Sequence, residues 1–114
     1  LVKQPFVPDR GDVIWINLNP QAGHEQAGKR PAFVLSPAAY NAKTSLVIVC
    51  PITSAVKQYP FEVVIPAGFP ITGVILSDQV KSLDWRARKA TPACLLPIDV
   101  VTEVQERIAA LIIN

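Results

Sequence analysis

The stretch "VIWINLNPQAGHEQAGKRPAFVLS", residues 13–36, sets two apolar runs around a polar insert. "VIWINL" (13–18) and "AFVLS" (32–36) are strand-length and rich in β-branched and aromatic side chains. Two such runs in sequence predict a hairpin. The insert "NPQAGHEQAGKRP" (19–31) is then its loop. Hairpin loops usually hold about two to five residues, and longer loops in compact domains are often functional.

Working outward, eleven prolines and five glycines cut the chain into short pieces. "LVIVCPIT" (46–53), "FEVVI" (61–65) and "GVILSDQV" (73–80) read as further strands. "SLDWRARKA" (82–90) reads as another, because Leu83, Trp85 and Ala87 alternate with Asp84, Arg86 and Arg88. The C-terminus has a different period. Val101, Val104, Ile108 and Leu111 mark one face of a helix, Pro97 suits its start, and Glu103 and Arg107 form an i,i+4 pair. The expected fold is mainly β: a small antiparallel sheet, curled or closed into a barrel. The C-terminal α-helix lies over one face or opening, and short helices are allowed elsewhere. The 114 residues are read as one domain, 1–114.

Composition narrows the function. Half the residues are hydrophobic and 18% are charged, so the chain folds. A net charge of +2 and a pI near 8.7 permit an anionic partner, but a dedicated duplex binder usually carries a stronger basic excess. Cys50 and Cys94 follow no C-x-x-C spacing, and Cys50, inside an apolar run, reads as an inert core thiol that needs no oxidising compartment. The single histidine, His24, excludes any mechanism built on two histidines and leaves little for a zinc site. No metal or other cofactor is expected. No apolar run reaches the length of a membrane span, and the N-terminal stretch lacks the apolar core of a signal peptide. A soluble, cytoplasmic protein is the expectation.

From the residues alone the insert has two readings. It is a solvated loop whose Gly23 and Gly28 supply turn geometry, or it is a site. For a site, Glu25 can move a proton, Arg30 offers a planar fork of donors for phosphate oxygens, and Pro31 fixes the backbone behind it. One reaction needs little more. RNA carries its own nucleophile, the 2′-OH, and requires a base, an acid and positive charge at the phosphate. Thr53 is a β-former at a strand end or a site hydroxyl. Asp78 is a structural acceptor or a site carboxylate. Lys81, Arg86, Arg88 and Lys89 around Trp85 are a solvated face over a core tryptophan, or a surface for single-stranded nucleic acid.

"GDVIWINLNPQAGHEQAGKRPAFVLSP", followed by "YN", "VCPIT", "YPFEV" and "GVILSDQVKSLDWRAR", resembles the MazF/PemK (Kid) family of bacterial toxins, in its MazF branch. The resemblance runs from about Pro8 to the C-terminal helix. It implies an SH3-like β-barrel and a homodimer. It also implies the toxin of a type II toxin–antitoxin system: a metal-independent endoribonuclease, or mRNA interferase. Such an enzyme cuts single-stranded RNA (mRNA) at specific sequences and leaves 2′,3′-cyclic phosphate and 5′-OH ends. The family's essential arginine falls on Arg30, its threonine or serine on Thr53, and the glutamate of E-Q-x-G-x-R-P on Glu25. By position, Gln26, Lys29, Asn41, Lys57, Asp78 and Gln79 match RNA-binding residues. The implied partner is an acidic, MazE-like antitoxin lying across the dimer groove. Asn17, Asn19 and His24 depart from some relatives, so cleavage specificity does not carry over. Two rivals remain: a CcdB-like toxin that poisons DNA gyrase without catalysis, and a plain SH3-like binding module.

Overall fold

A computed structural model describes residues 5–19 and 28–113. The order is β1 (Asp12–Asn17), β2 (Lys29–Val34), α1 (Ala38–Thr44), β3 (Leu46–Thr53), β4 (Glu62–Val64), β5 (Val74–Leu76), β6 (Lys81–Asp84), β7 (Thr91–Leu95) and α2 (Ile98–Ile112). Every strand pair is antiparallel. The strands run β4-β5-β3-β2-β1-β7, with β6 added beside β3. One edge of β3 is shared: its first half pairs with β6 and its last two residues with β5. The sheet's outer strands are β4 and β7, and among the described residues no ladder joins them into a closed barrel.

The sheet is covered on both faces. Val13, Phe33, Cys50, Val63 and Ile75 pack against Val100, Val101 and Val104 of α2. Ile14, Ile16, Ala32, Val34, Val47 and Val49 bury the opposite face under Trp85, Phe6 and Val7. A strand buried on both sides has no polar face, which is why "LVIVCPIT" and "VIWI" read as unbroken apolar runs. The Cys50 thiol is fully buried, and desolvation, then the Asp78 charge, push its pKa up to about 12. It is inert, as expected. In α2, Pro97 is the N-cap, and Glu103 accepts from Arg107 at 2.8 Å; Arg107 also donates to the Pro60 carbonyl.

Two expectations change, and one strand is new. "SLDWRARKA" is not one strand: β6 ends at Asp84 and a turn follows. Asp84 Oδ1 accepts from the Ala87 N–H at 3.0 Å and the Ser45 hydroxyl at 2.8 Å, and these bonds hold its carboxyl below the usual range. An aspartate that bonds backbone three residues ahead makes a turn rather than a strand. "GVILSDQV" shortens to Val74–Leu76: the Ser77 N–H still meets the Phe61 carbonyl in the ladder with β4, and the Gln79 N–H then turns back to the Leu76 carbonyl at 3.1 Å. Thr91–Leu95, unread in the sequence because Pro92 and small residues hide its alternation, pairs with β1 around a register shift between Val13 and Ile14.

Asn41 needs a further correction. Read as an RNA-binding residue, it is instead fully buried in α1. Its amide donates to the carbonyls of Pro8 (2.7 Å) and Ser36 (2.9 Å) and accepts from the Ser36 hydroxyl (2.6 Å). Its own carbonyl accepts from the Trp85 indole at 2.8 Å. It is an internal bracket with no edge left for a base. Gly73 is a second fixed point. Its φ is +118°, and a Cβ there would lie 2.2 Å from the Thr53 carbonyl oxygen. Only glycine lets β5 come this close to the end of β3.

Asn41→Ala is expected to lower the unfolding free energy by about 3 kcal/mol in urea titration, since three buried polar groups lose their partner. Gly73→Ala is expected to cost about 2–3 kcal/mol and to shift Thr53, read as a changed amide resonance for residues 53–55.

Candidate active site

The groove of interest forms where one ladder stops. β2 pairs with β3 at Val34↔Val49, Phe33↔Cys50 and Ala32↔Pro51. Beyond Ala32↔Pro51 the same register would set Arg30 opposite Thr53, but no further pairs form. Pro31, which falls opposite Ile52 in that register, has no N–H for the next hydrogen-bonded rung. Residues 29–31 of β2 stay paired to β1 alone, with Trp15↔Pro31 and Ile16↔Arg30. The end of β3 turns instead to β5 through Thr53↔Val74. The two strands splay apart.

The gap is an open groove of about 520 Å³ lined by Trp15, Arg30, Pro31, Ile52, Thr53, Ser54, Pro70, Ile71 and Thr72. The residues read as the essential arginine and threonine thus share one cavity. Arg30 is exposed on a strand rather than at a loop tip. Its backbone is therefore held by β1, while its guanidinium reaches solvent. Thr53 Oγ1 accepts from the Ala55 N–H at 3.0 Å, a local turn that orients the hydroxyl. Thr53 ends β3 and also lines the groove.

Trp15 is a groove residue that the sequence did not single out. It lies between fully buried Ile14 and Ile16, yet it is 37% exposed. Its signal was positional: an aromatic on the hairpin strand, paired directly with Pro31. Glu25 and Gln26 fall outside the described residues.

The other RNA-binding candidates lie outside the groove lining. Lys29 Nζ donates to the Lys89 carbonyl at 2.8 Å. Lys57 is exposed on the loop after β3. That loop is held by a buried carboxylate the sequence reading missed: Glu62 accepts from the Lys57 N–H at 3.0 Å and the Gln58 N–H at 2.8 Å. Asp78 and Gln79 are exposed on the turn after β5. Asp78 Oδ1 accepts from the Tyr59 hydroxyl at 3.1 Å, which ties the two loops together. Desolvation and this bond raise the Tyr59 phenol above its usual range. Lys57, Asp78 and Gln79 thus stand on two linked loops, and both loops lead from strands that meet at the groove.

Over residues 9–112 the chain matches the family described as PemK-like, MazF-like toxin of type II toxin–antitoxin system. It is 56% identical over 86 residues to the endoribonuclease toxin MazF of Escherichia coli (strain K12), a match covering 75% of this chain and 77% of that protein. It is similar to a crystal structure of MazF from Deinococcus radiodurans, with a TM-score of 0.85 at 52% identity, covering 94% of this chain and 97% of the other. A crystal structure of a MazE–MazF complex from the same organism gives 0.84 at 46% identity, covering 94% and 96%. The family match spans β1 to α2 and takes in every strand that borders the groove: the chain belongs to the PemK-like, MazF-like toxins of type II toxin–antitoxin systems, a family of endoribonucleases.

Proposed function

We propose that the protein is a sequence-specific, metal-independent endoribonuclease that cuts single-stranded RNA, chiefly mRNA, and so halts translation and growth. The observation that carries this reading is the common groove of Arg30 and Thr53. The 2′-OH attacks the adjacent phosphate and expels the 5′-oxygen, leaving a 2′,3′-cyclic phosphate and a 5′-OH. Arg30 supplies the charge that the pentacoordinate phosphate builds up, and its guanidinium fork fits two equatorial oxygens. It is also our candidate for protonating the leaving oxygen. Thr53 keeps its own hydroxyl hydrogen for a phosphate oxygen while its lone pair serves Ala55. Glu25 is the general base on the 2′-OH.

Base recognition falls to Gln26, Lys57, Asp78 and Gln79. Single-stranded RNA offers splayed bases whose edges such polar groups can read. Asn41 leaves this set because it is buried, and Lys29 acts first on protein. The working unit is a cytoplasmic homodimer of one SH3-like barrel domain per chain. A MazE-like antitoxin with an acidic tail blocks the groove, in keeping with the MazE–MazF complex to which this chain is similar. An acidic peptide competes with RNA for the same positive groups.

The test is single-turnover cleavage of an RNA oligonucleotide by variants. Arg30→Ala is expected to lose about 10²–10³-fold in rate, as for removal of one transition-state donor. Glu25→Gln is expected to lose about 10²–10⁴-fold, as for a general base. Thr53→Val, nearly isosteric, is expected to lose about tenfold with its urea midpoint little changed, the worth of one hydrogen bond. Wild-type rates in Arg30→Ala would refute the site.

A further inference from the structure

The basic turn after β6 lies outside the groove lining, yet it grips the groove's edge. Arg88 Nη1 donates to the carbonyls of Asn17 (2.7 Å) and Asn19 (2.6 Å). One residue on, the Lys89 carbonyl accepts from Lys29 Nζ at 2.8 Å. Asn17 and Lys29 are partners in the last rung of the β1–β2 ladder, and the next rung is Ile16↔Arg30. The turn therefore holds both strands of the hairpin at the rung beside Arg30.

The turn is itself well anchored. Trp85 is buried and bonded to the Asn41 carbonyl. Arg86 lies over the Trp85 ring, 4.6 Å from its centroid, and donates to the Ala42 carbonyl at 3.0 Å. The Arg88 N–H returns to the Asp84 carbonyl at 3.1 Å and the Lys89 N–H to the Arg86 carbonyl at 3.0 Å. On the hairpin side, Asn17 is buried, its Oδ1 accepts from the Asn19 N–H, and a Cβ on Gly28 would lie 3.1 Å from its Nδ2.

This arrangement answers a physical need. Residues 29–31 have lost β3 and keep a single strand partner, and a strand end with one partner frays readily. Short hydrogen bonds from a guanidinium are among the strongest available to restrain it. We propose that Arg88 is a positioning residue for RNA cleavage: it holds the Asn17↔Lys29 rung, and through it the Arg30 rung, without touching RNA itself. Lys81, Arg86, Arg88 and Lys89 are then no uniform nucleic-acid surface. Arg86 and Arg88 act on backbone carbonyls of this chain.

The proposal rests on the ribonuclease reading above. Its test uses the full chain and an oligonucleotide containing one cut site mapped with the wild type. A wild type that cuts no RNA would count against that reading rather than against the clamp. Arg88→Gln is expected to lower kcat about ten- to a hundredfold, the scale of a displaced catalytic group, with KM within about twofold. Arg88→Lys, whose ammonium can reach the same carbonyls, is expected to recover most of the loss. Lys29→Met, which cuts the other half of the clamp, is expected to repeat the kcat loss independently of how well Arg88→Gln folds. Binding is read with the same oligonucleotide made 2′-deoxy at the cut. Its salt dependence is expected to match wild type in Arg88→Gln. Three results overturn the proposal: wild-type kcat in both Arg88→Gln and Lys29→Met, an Arg88→Lys as slow as Arg88→Gln, or a raised KM with a salt slope smaller by about one, which marks a phosphate contact.

Discussion

Proline cannot donate a backbone hydrogen bond, and Pro31 stands where β2 should continue along β3. Ala32↔Pro51 is the last rung of that ladder. Past it, Pro31 has no N–H to offer Ile52, the ladder stops, and Arg30 and Thr53 line a groove between the strands. Had the ladder run on, the two residues would sit side by side in a closed sheet. The groove is thus a consequence of sheet chemistry rather than of a loop folding over. Its far wall depends on a second local exception, Gly73, whose missing side chain lets β5 lie against the Thr53 carbonyl.

An open strand end needs a stiff frame, and the rest of the molecule supplies it. Both faces of the central strands are packed, one by α2 and one by Trp85 with the N-terminal segment. Asn41 joins that segment, the start of α1 and Trp85 in one buried bracket. The bracket anchors the turn that carries Arg88, and Arg88 in turn reaches the hairpin. A chain of hydrogen bonds therefore links a core asparagine to the strand end beside the groove. Replacing a polar core group of this kind would be felt at the site even though it touches no ligand.

Much of this could be read from residue order. β-branched runs between prolines marked the hairpin and β3, because a strand buried on both faces must be apolar throughout. The i,i+3 and i,i+7 spacing marked α2 for an equally simple reason. Arg30 and Thr53 were nameable because each is a polar group beside an apolar run, and the resemblance singled them out. What stayed hidden depended on contacts distant in sequence. Asn41 was matched to an RNA-binding position, and nothing local shows that Pro8 and Trp85 close over it. Glu62 drew no reading of its own inside "FEVVI", yet it holds the Lys57 loop. Trp85 and Ala87 alternated like a strand, but Asp84 bonds forward into a turn. Lys29 was matched to an RNA-binding position, and nothing local showed its partner, the Lys89 carbonyl sixty residues on.

The central claim is that this groove cleaves RNA with the substrate's own 2′-OH as nucleophile. The most direct measurement is incubation of a mixed-sequence single-stranded RNA with the purified protein in excess EDTA, followed by mapping of the ends. The account predicts discrete cuts at a short recurring sequence, each leaving a 2′,3′-cyclic phosphate and a 5′-OH. Intact RNA, or fragments ending in 3′-OH and 5′-phosphate, would contradict it.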